Sequence, residues 1–207
     1  MSLIKEVWSH NLVEEIREIY QYAQDSINLL KNSGIDFEKF KKDGIVGSDF
    51  AELITTSGAV LSDSVTWISY HSCYDFGYLY RILTNLELPK KLGDFLEDLV
   101  YYFPVVYDIK YIAKAKFVHY GGLQDLAETL KVERIGPQHQ AGSDSLLTSK
   151  TFFKFREQYL QGTSLEIYKN KIYDFVEPPQ TRITNPPNLT YNTQTPYWPP
   201  DSHNSHY

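Results

Sequence analysis

Two aspartates and a histidine stand where they could do chemistry. Asp75 follows a short β-branched and aromatic run, Val65-Thr66-Trp67-Ile68-Ser69-Tyr70, and sits near the start of an amphipathic stretch, Tyr74 to Leu83. A carboxylate just past a strand and at a helix start can project into the cleft at the carboxyl end of a sheet. Asp144 lies in Gly142-Ser143-Asp144, which opens a longer helical pattern through Phe152, Phe155 and Tyr159. In a first helical turn the dipole favours the ionised form, which metal binding requires. His139 lies five residues before Asp144, in a loop made tight by Gly136 and Pro137 and released by Gly142. That slack lets its ring fold back. Carboxylates and an imidazole of this kind could hold a divalent cation and orient a water. They could equally cap helices or bond at the surface, and spacing alone does not choose.

The elements that must position these residues follow from periodicity. Apolar residues at helical spacing run from Leu3 through Val7, Leu12, Ile16, Ile19, Ala23 and Ile27 to Leu30, and Asn32-Ser33-Gly34 stops them. Read as one helix this is about 30 residues, far above the usual ~11–12. A helix with Ser48 as N-cap is expected through Phe50, Leu53 and Ile54 to Ser57-Gly58. Further helices are expected over 91–103, 123–131 and from Gly142 onward, with strands at Val65–Tyr70 and Val105–Asp108. Strands joined by helices predict a right-handed α/β crossover with a parallel pair. From Glu177 the composition changes: seven of the ten prolines lie in 177–207. A domain over 1–176 and a disordered tail over 177–207 are expected.

Bulk properties narrow the class. The chain has 207 residues, 42% hydrophobic and 22% charged, with 17 Tyr and 11 Phe, enough for one domain with a real core. A net charge of −6 lacks the basic footprint of a bulk nucleic-acid binder. It does not exclude a nuclease, because bound cations can meet the phosphates. The single cysteine, Cys73, rules out an intrachain disulfide framework and fits a reducing compartment. No apolar run approaches the roughly 18 residues of a membrane span, so no membrane is expected. Met1-Ser2-Leu3-Ile4-Lys5-Glu6 has no signal-peptide layout. Asn188-Leu189-Thr190 then reads as a chance sequon, and nucleus and cytoplasm are the expected setting.

Three segments carry a resemblance. They are Trp67-Ile-Ser-Tyr-His-Ser-Cys-Tyr-Asp75-Phe-Gly-Tyr-Leu79, then Val105-Val-Tyr-Asp-Ile-Lys-Tyr111 with Gly121-Gly-Leu-Gln-Asp-Leu-Ala127, and Glu133-Arg-Ile-Gly-Pro-Gln-His139-Gln-Ala-Gly-Ser-Asp144-Ser-Leu-Leu-Thr148. Together, in order, they resemble the Caf/Pop family, the poly(A) deadenylase subunit of the Ccr–Not complex. Ile4-Lys-Glu-Val-Trp-Ser-His-Asn-Leu12 is similar to that family's start. The resemblance implies an RNase H-like DEDD exonuclease fold and 3′→5′ removal of poly(A) from RNA. Magnesium, with manganese as an alternative, would be held by four carboxylates. It implies Asp75 and Asp144 as metal ligands, with His139 helping to deprotonate or orient the attacking water. Implied partners are the Not scaffold, a Ccr-type deadenylase and Tob-type antiproliferative proteins.

One part of the family pattern is missing. Its first motif is a strand ending in Asp-Thr-Glu-Phe-Pro-Gly, whose Asp-x-Glu pair supplies the other two carboxylates. Here Glu14-Glu-Ile-Arg-Glu-Ile19 and Tyr20-Gln21 pass straight into Tyr22-Ala-Gln-Asp-Ser-Ile27, which resembles a segment far downstream in the family. The resemblance therefore implies an internal deletion, a helix spliced from two, and a truncated sheet with the first three strands absent. Asp36-Phe37-Glu38 follows Ser33-Gly34 with no β-branched run before it and reads as solvated acids at a helix start. Cys73 stands where the family usually has Gly. The expected consequences are impaired hydrolysis and an unpaired strand edge that favours aggregation unless covered.

Overall fold

The structure is a computed structural model that describes residues 24–118, 121–176 and 178. Its elements in chain order are α1 (Gln24–Asn32), α2 (Phe37–Asp43), α3 (Gly47–Thr56), β1 (Trp67–Ser69), α4 (Cys73–Thr84), α5 (Leu92–Tyr102), β2 (Val106–Asp108), α6 (Ile109–Ala115), α7 (Leu123–Thr129) and α8 (Ala141–Tyr159). A 3-10 turn, Leu165–Tyr168, follows. No described helix is long and apolar enough to cross a membrane. The tail expected over 177–207 lies outside the described residues apart from Pro178, as does the first part of the expected long helix.

The described sheet has two strands, β1 and β2, paired in parallel with Trp67 opposite Val106 and Ser69 opposite Asp108. Alternation along these strands divides the core, because successive side chains point to opposite faces. Val106 joins Phe76, Leu79, Phe95, Leu99 and Phe103 on the α4–α5 face. Tyr107 joins Ile112, Leu126, Leu130, Phe152 and Phe155 on the α6–α8 face. Trp67 and Ile68 divide in the same way. Trp67 is fixed further by edge contacts to Phe76 and Phe103 and by its indole N–H, which donates to the Ala59 carbonyl at 3.0 Å.

Local signals explain the boundaries. Gly34 ends α1 at a φ of +87°, with its N–H donating to the Lys31 carbonyl. Asp36 is the N-cap of α2, accepting from the Lys39 N–H at 3.0 Å. Ser48 is not the cap of α3: Val46 holds that position without a side-chain bond, and the Ser48 hydroxyl turns to Asp49. Both strands are shorter than the apolar runs predict, because only three residues of each align. The free edge of β2 is closed by Asn170, whose side-chain oxygen accepts from Val106 N–H at 2.9 Å and whose own N–H donates to Val106 C=O at 2.9 Å. Asn170 begins a strap, residues 170–176, that crosses the strand ends and buries Ile172 completely. Among the described residues β1 pairs only with β2.

Candidate active site

Asp75 occupies the first turn of α4, three residues after its N-cap Ser72. The Ser72 hydroxyl donates to Ser69 Oγ at 2.6 Å, tying the helix start to the end of β1. Asp75 is half-buried, at the carboxyl edge of the sheet, as its position after a strand predicts.

Asp144 occupies the first turn of α8. Arg134 reaches it from the preceding loop: one guanidinium nitrogen donates to Asp144 Oδ1 at 2.7 Å and to Ser143 Oγ at 3.0 Å. Its Nε donates to Gln124 Oε1 on α7 at 2.7 Å. The two charged side chains are only 12% and 13% exposed, so the pair is held in a site of reduced dielectric. Gly136 lets the loop close, with a φ of +85° and space where an added Cβ would come within 3.3 Å of Ser143 Cβ. His139 is half-buried at the foot of α8 with a φ of +62°. The structure thus brings His139, Asp144 and Arg134 to one helix start and places Asp75 at another.

Sequence reasoning did not single out Arg134 or Asp108. Arg134 lies inside the third motif segment, where a lone cation ten residues before a buried aspartate is a weak signal. Asp108 is fully buried at the end of β2. Its carboxylate accepts from the backbone N–H groups of His71 (2.9 Å), Ser72 (3.2 Å), Lys110 (2.9 Å), Tyr111 (3.4 Å) and Tyr173 (3.4 Å). It caps α6 and ties β1, α4 and the strap to one point. Burial pushes its carboxyl above the ordinary range, against the pull of those N–H donors. Burial also raises the Tyr70 hydroxyl, with the charges of Asp108 and Asp125 adding to it. The Cys73 thiol is raised by burial first and by the Asp174 charge second.

Two divalent ions need more donors than these positions supply. Among the described residues, neither Asp75 nor Asp144 belongs to a group of three His, Cys, Asp or Glu side chains whose ligand atoms converge. Arg134 already takes one oxygen of Asp144. The described residues therefore do not by themselves fit a two-metal centre.

A parallel strand pair flanked by helices, with carboxylates presented at helix starts, defines an α/β domain built to meet a ligand at its sheet edge. The sequence model of the CAF1 family ribonucleases matches residues 49–152, just over half of the chain, and the chain belongs to that family. Poly(A) ribonuclease pop2 of Schizosaccharomyces pombe is 47% identical over 166 residues, 80% of this chain and 49% of that protein. Probable CCR4-associated factor 1 homolog 7 of Arabidopsis thaliana is 50% identical over 167 residues, 81% of this chain and 60% of that protein. The chain thus spans about half to three fifths of these relatives' length. The fold matches the Mg2+ and Mn2+ bound form of S. pombe Pop2p at a TM-score of 0.71 and 50% identity, covering 74% of this chain and 61% of that one. It matches a structure of the yeast NOT1 MIF4G domain co-crystallised with CAF1 at a TM-score of 0.62 and 34% identity, covering 68% and 58%.

Proposed function

We propose that this chain is a Ccr–Not subunit in mRNA deadenylation: by family a metal-dependent 3′→5′ poly(A)-specific exoribonuclease, in this chain impaired. The observation that carries the reading is the placement of Asp75 and Asp144 in first helical turns with His139 beside the second. In the family reading Asp75 and Asp144 would be ligands to a divalent ion and His139 would orient the attacking water. Magnesium or manganese, when bound, would polarise that phosphate and lower the pKa of the attacking water. Impairment follows from the missing Asp-x-Glu pair, since two carboxylates leave such ions underligated. The internal deletion between Ile19 and Tyr22 belongs to the same proposal. Genomic sequence across that junction would overturn it if no frame encoding Asp-x-Glu lies there.

The CAF1 held by the NOT1 MIF4G domain supports a second reading, a non-catalytic member that keeps a surface for the Not scaffold. Tob-type partners and residence in nucleus and cytoplasm are part of the proposal. Purified chain with labelled poly(A)-tailed RNA and magnesium is expected to leave the tail intact. Stepwise shortening that is lost in Asp144→Ala would overturn the impairment. Retained binding to a NOT1 MIF4G domain by an inactive chain would favour the scaffold reading.

A further inference from the structure

We propose that His71, Cys73 and Asp174 form a metal site for a borderline-soft divalent cation such as zinc, at the seam between the start of α4 and the strap. One ligand atom from each lies within 4.8 Å of the others, and among the described residues this is the one convergence of three such side chains. A tetrahedral zinc held at about 2.0–2.3 Å needs donors roughly 3.3–3.8 Å apart, so the widest separations must close by about 1 Å while the direct His71–Asp174 hydrogen bond opens to admit the ion. Nitrogen, sulfur and carboxylate oxygen together suit zinc and disfavour magnesium, which takes oxygen.

The segments are turned toward this point. His71 and Asp174 are both non-glycine residues in the left-handed region, with φ of +54° and +72°. Such conformations cost energy and need surrounding structure to hold them. The holding group is Asp108, which accepts from the backbone of His71 and of Tyr173, the residue before Asp174. Cys73 is buried in the first turn of α4, while the Asp174 side chain is 51% exposed and leaves a fourth position open to water.

Two features oppose the site: burial and the Asp174 charge raise the Cys73 thiol, and Lys110 competes for the imidazole. Lys110 Nζ donates to His71 Nδ1 at 3.1 Å, which leaves the hydrogen on Nε2, where it is donated to Asp174 Oδ2. A cation bound to Nε2 takes the place of that hydrogen, which moves to Nδ1. Lys110 then gives up its bond and keeps its place over the Tyr173 ring, 4.5 Å from the centroid. The thiol releases one proton to solvent on forming the metal–sulfur bond. Lys110 therefore weakens the site, by charge and by competition for the imidazole.

The test is titration of the full metal-free chain with Co2+ in excess Mg2+, which fills oxygen-only sites such as Asp75 and Asp144. One cobalt per chain is expected, with a thiolate-to-cobalt charge-transfer band, displaced by one equivalent of zinc. Cys73→Ser should abolish the band and weaken zinc binding roughly 100-fold; Asp174→Asn should weaken it roughly 10-fold with the band retained; Lys110→Gln should tighten it. Absence of the band, or zinc affinity unchanged in Cys73→Ser, would overturn the site. Should Cys73→Ser fail to fold, Asp174→Asn alters a half-exposed group, and unchanged affinity there overturns it as well. The outcome is independent of poly(A) hydrolysis, so it stands or falls apart from the proposed activity.

Discussion

Asp108 and Asp144 are both carboxylates at helix starts, yet their surroundings differ in kind. Asp108 is fully buried and accepts from five backbone N–H groups drawn from the end of β1, the start of α6 and the strap. Asp144 meets one arginine through one oxygen, and at 13% exposure its side chain still borders solvent. The first is saturated by groups that cannot move without the fold moving. The second is held by one arginine side chain, and among the described residues only its Oδ1 takes a side-chain hydrogen bond. A carboxylate that builds structure is enclosed by backbone donors; one that meets a ligand must keep lone pairs within reach.

The contrast can be broken by substitution. Asp108→Ala strands several buried N–H donors at once, each costing about 1–3 kcal/mol when unsatisfied. The expected loss is roughly 4 kcal/mol or more, read as a large fall in the urea midpoint or as failure to accumulate folded protein. A loss under about 1 kcal/mol would show that water replaces the carboxylate and that Asp108 is no keystone. Arg134→Leu removes one partner of a nearly buried pair and should cost about 2 kcal/mol, below the 3–5 kcal/mol of a fully enclosed pair because Asp144 can reach solvent. If it costs as much as Asp108→Ala, the two carboxylates are equivalent and the distinction fails. Lys154→Ala sets the floor. Its pair with Glu157 is 2.7 Å long but 41% and 63% exposed, so the change in urea midpoint should correspond to about 0.5 kcal/mol or less.

Much of the fold was legible because its signals are local. The Gly34 stop, the Pro104 break before β2, the run Val65–Tyr70 and the apolar faces of α4, α5, α7 and α8 depend on neighbours a few residues away. Asp36-Phe37-Glu38 read correctly as helix-start acids for the same reason. The parallel pairing of β1 and β2 was also legible, since strands separated by helices return in one direction. The reading failed where a local preference met a tertiary demand. Ser48 looked like a cap, yet Val46 takes the position, and α6 escaped notice beside the stronger strand signal of Val105–Asp108.

The sequence by itself determined most of the helices, the strand pair, the family words around Asp75, His139 and Asp144, and hence the class of chemistry to look for. Only the tertiary structure decided which aspartate is a strut and which is left with a lone pair to spare. Asp108 and Asp144 look alike in one dimension, each an acid at a helix start. What separates them are partners far along the chain: His71 and Tyr173 for one, Arg134 with Gln124 for the other. Likewise nothing local joins His71 to Asp174, 103 residues apart. They meet because Asn170 closes the edge of β2 and carries the strap across the strand ends. Hydrogen bonds of that range depend on the closed chain path, which no residue pattern spells out.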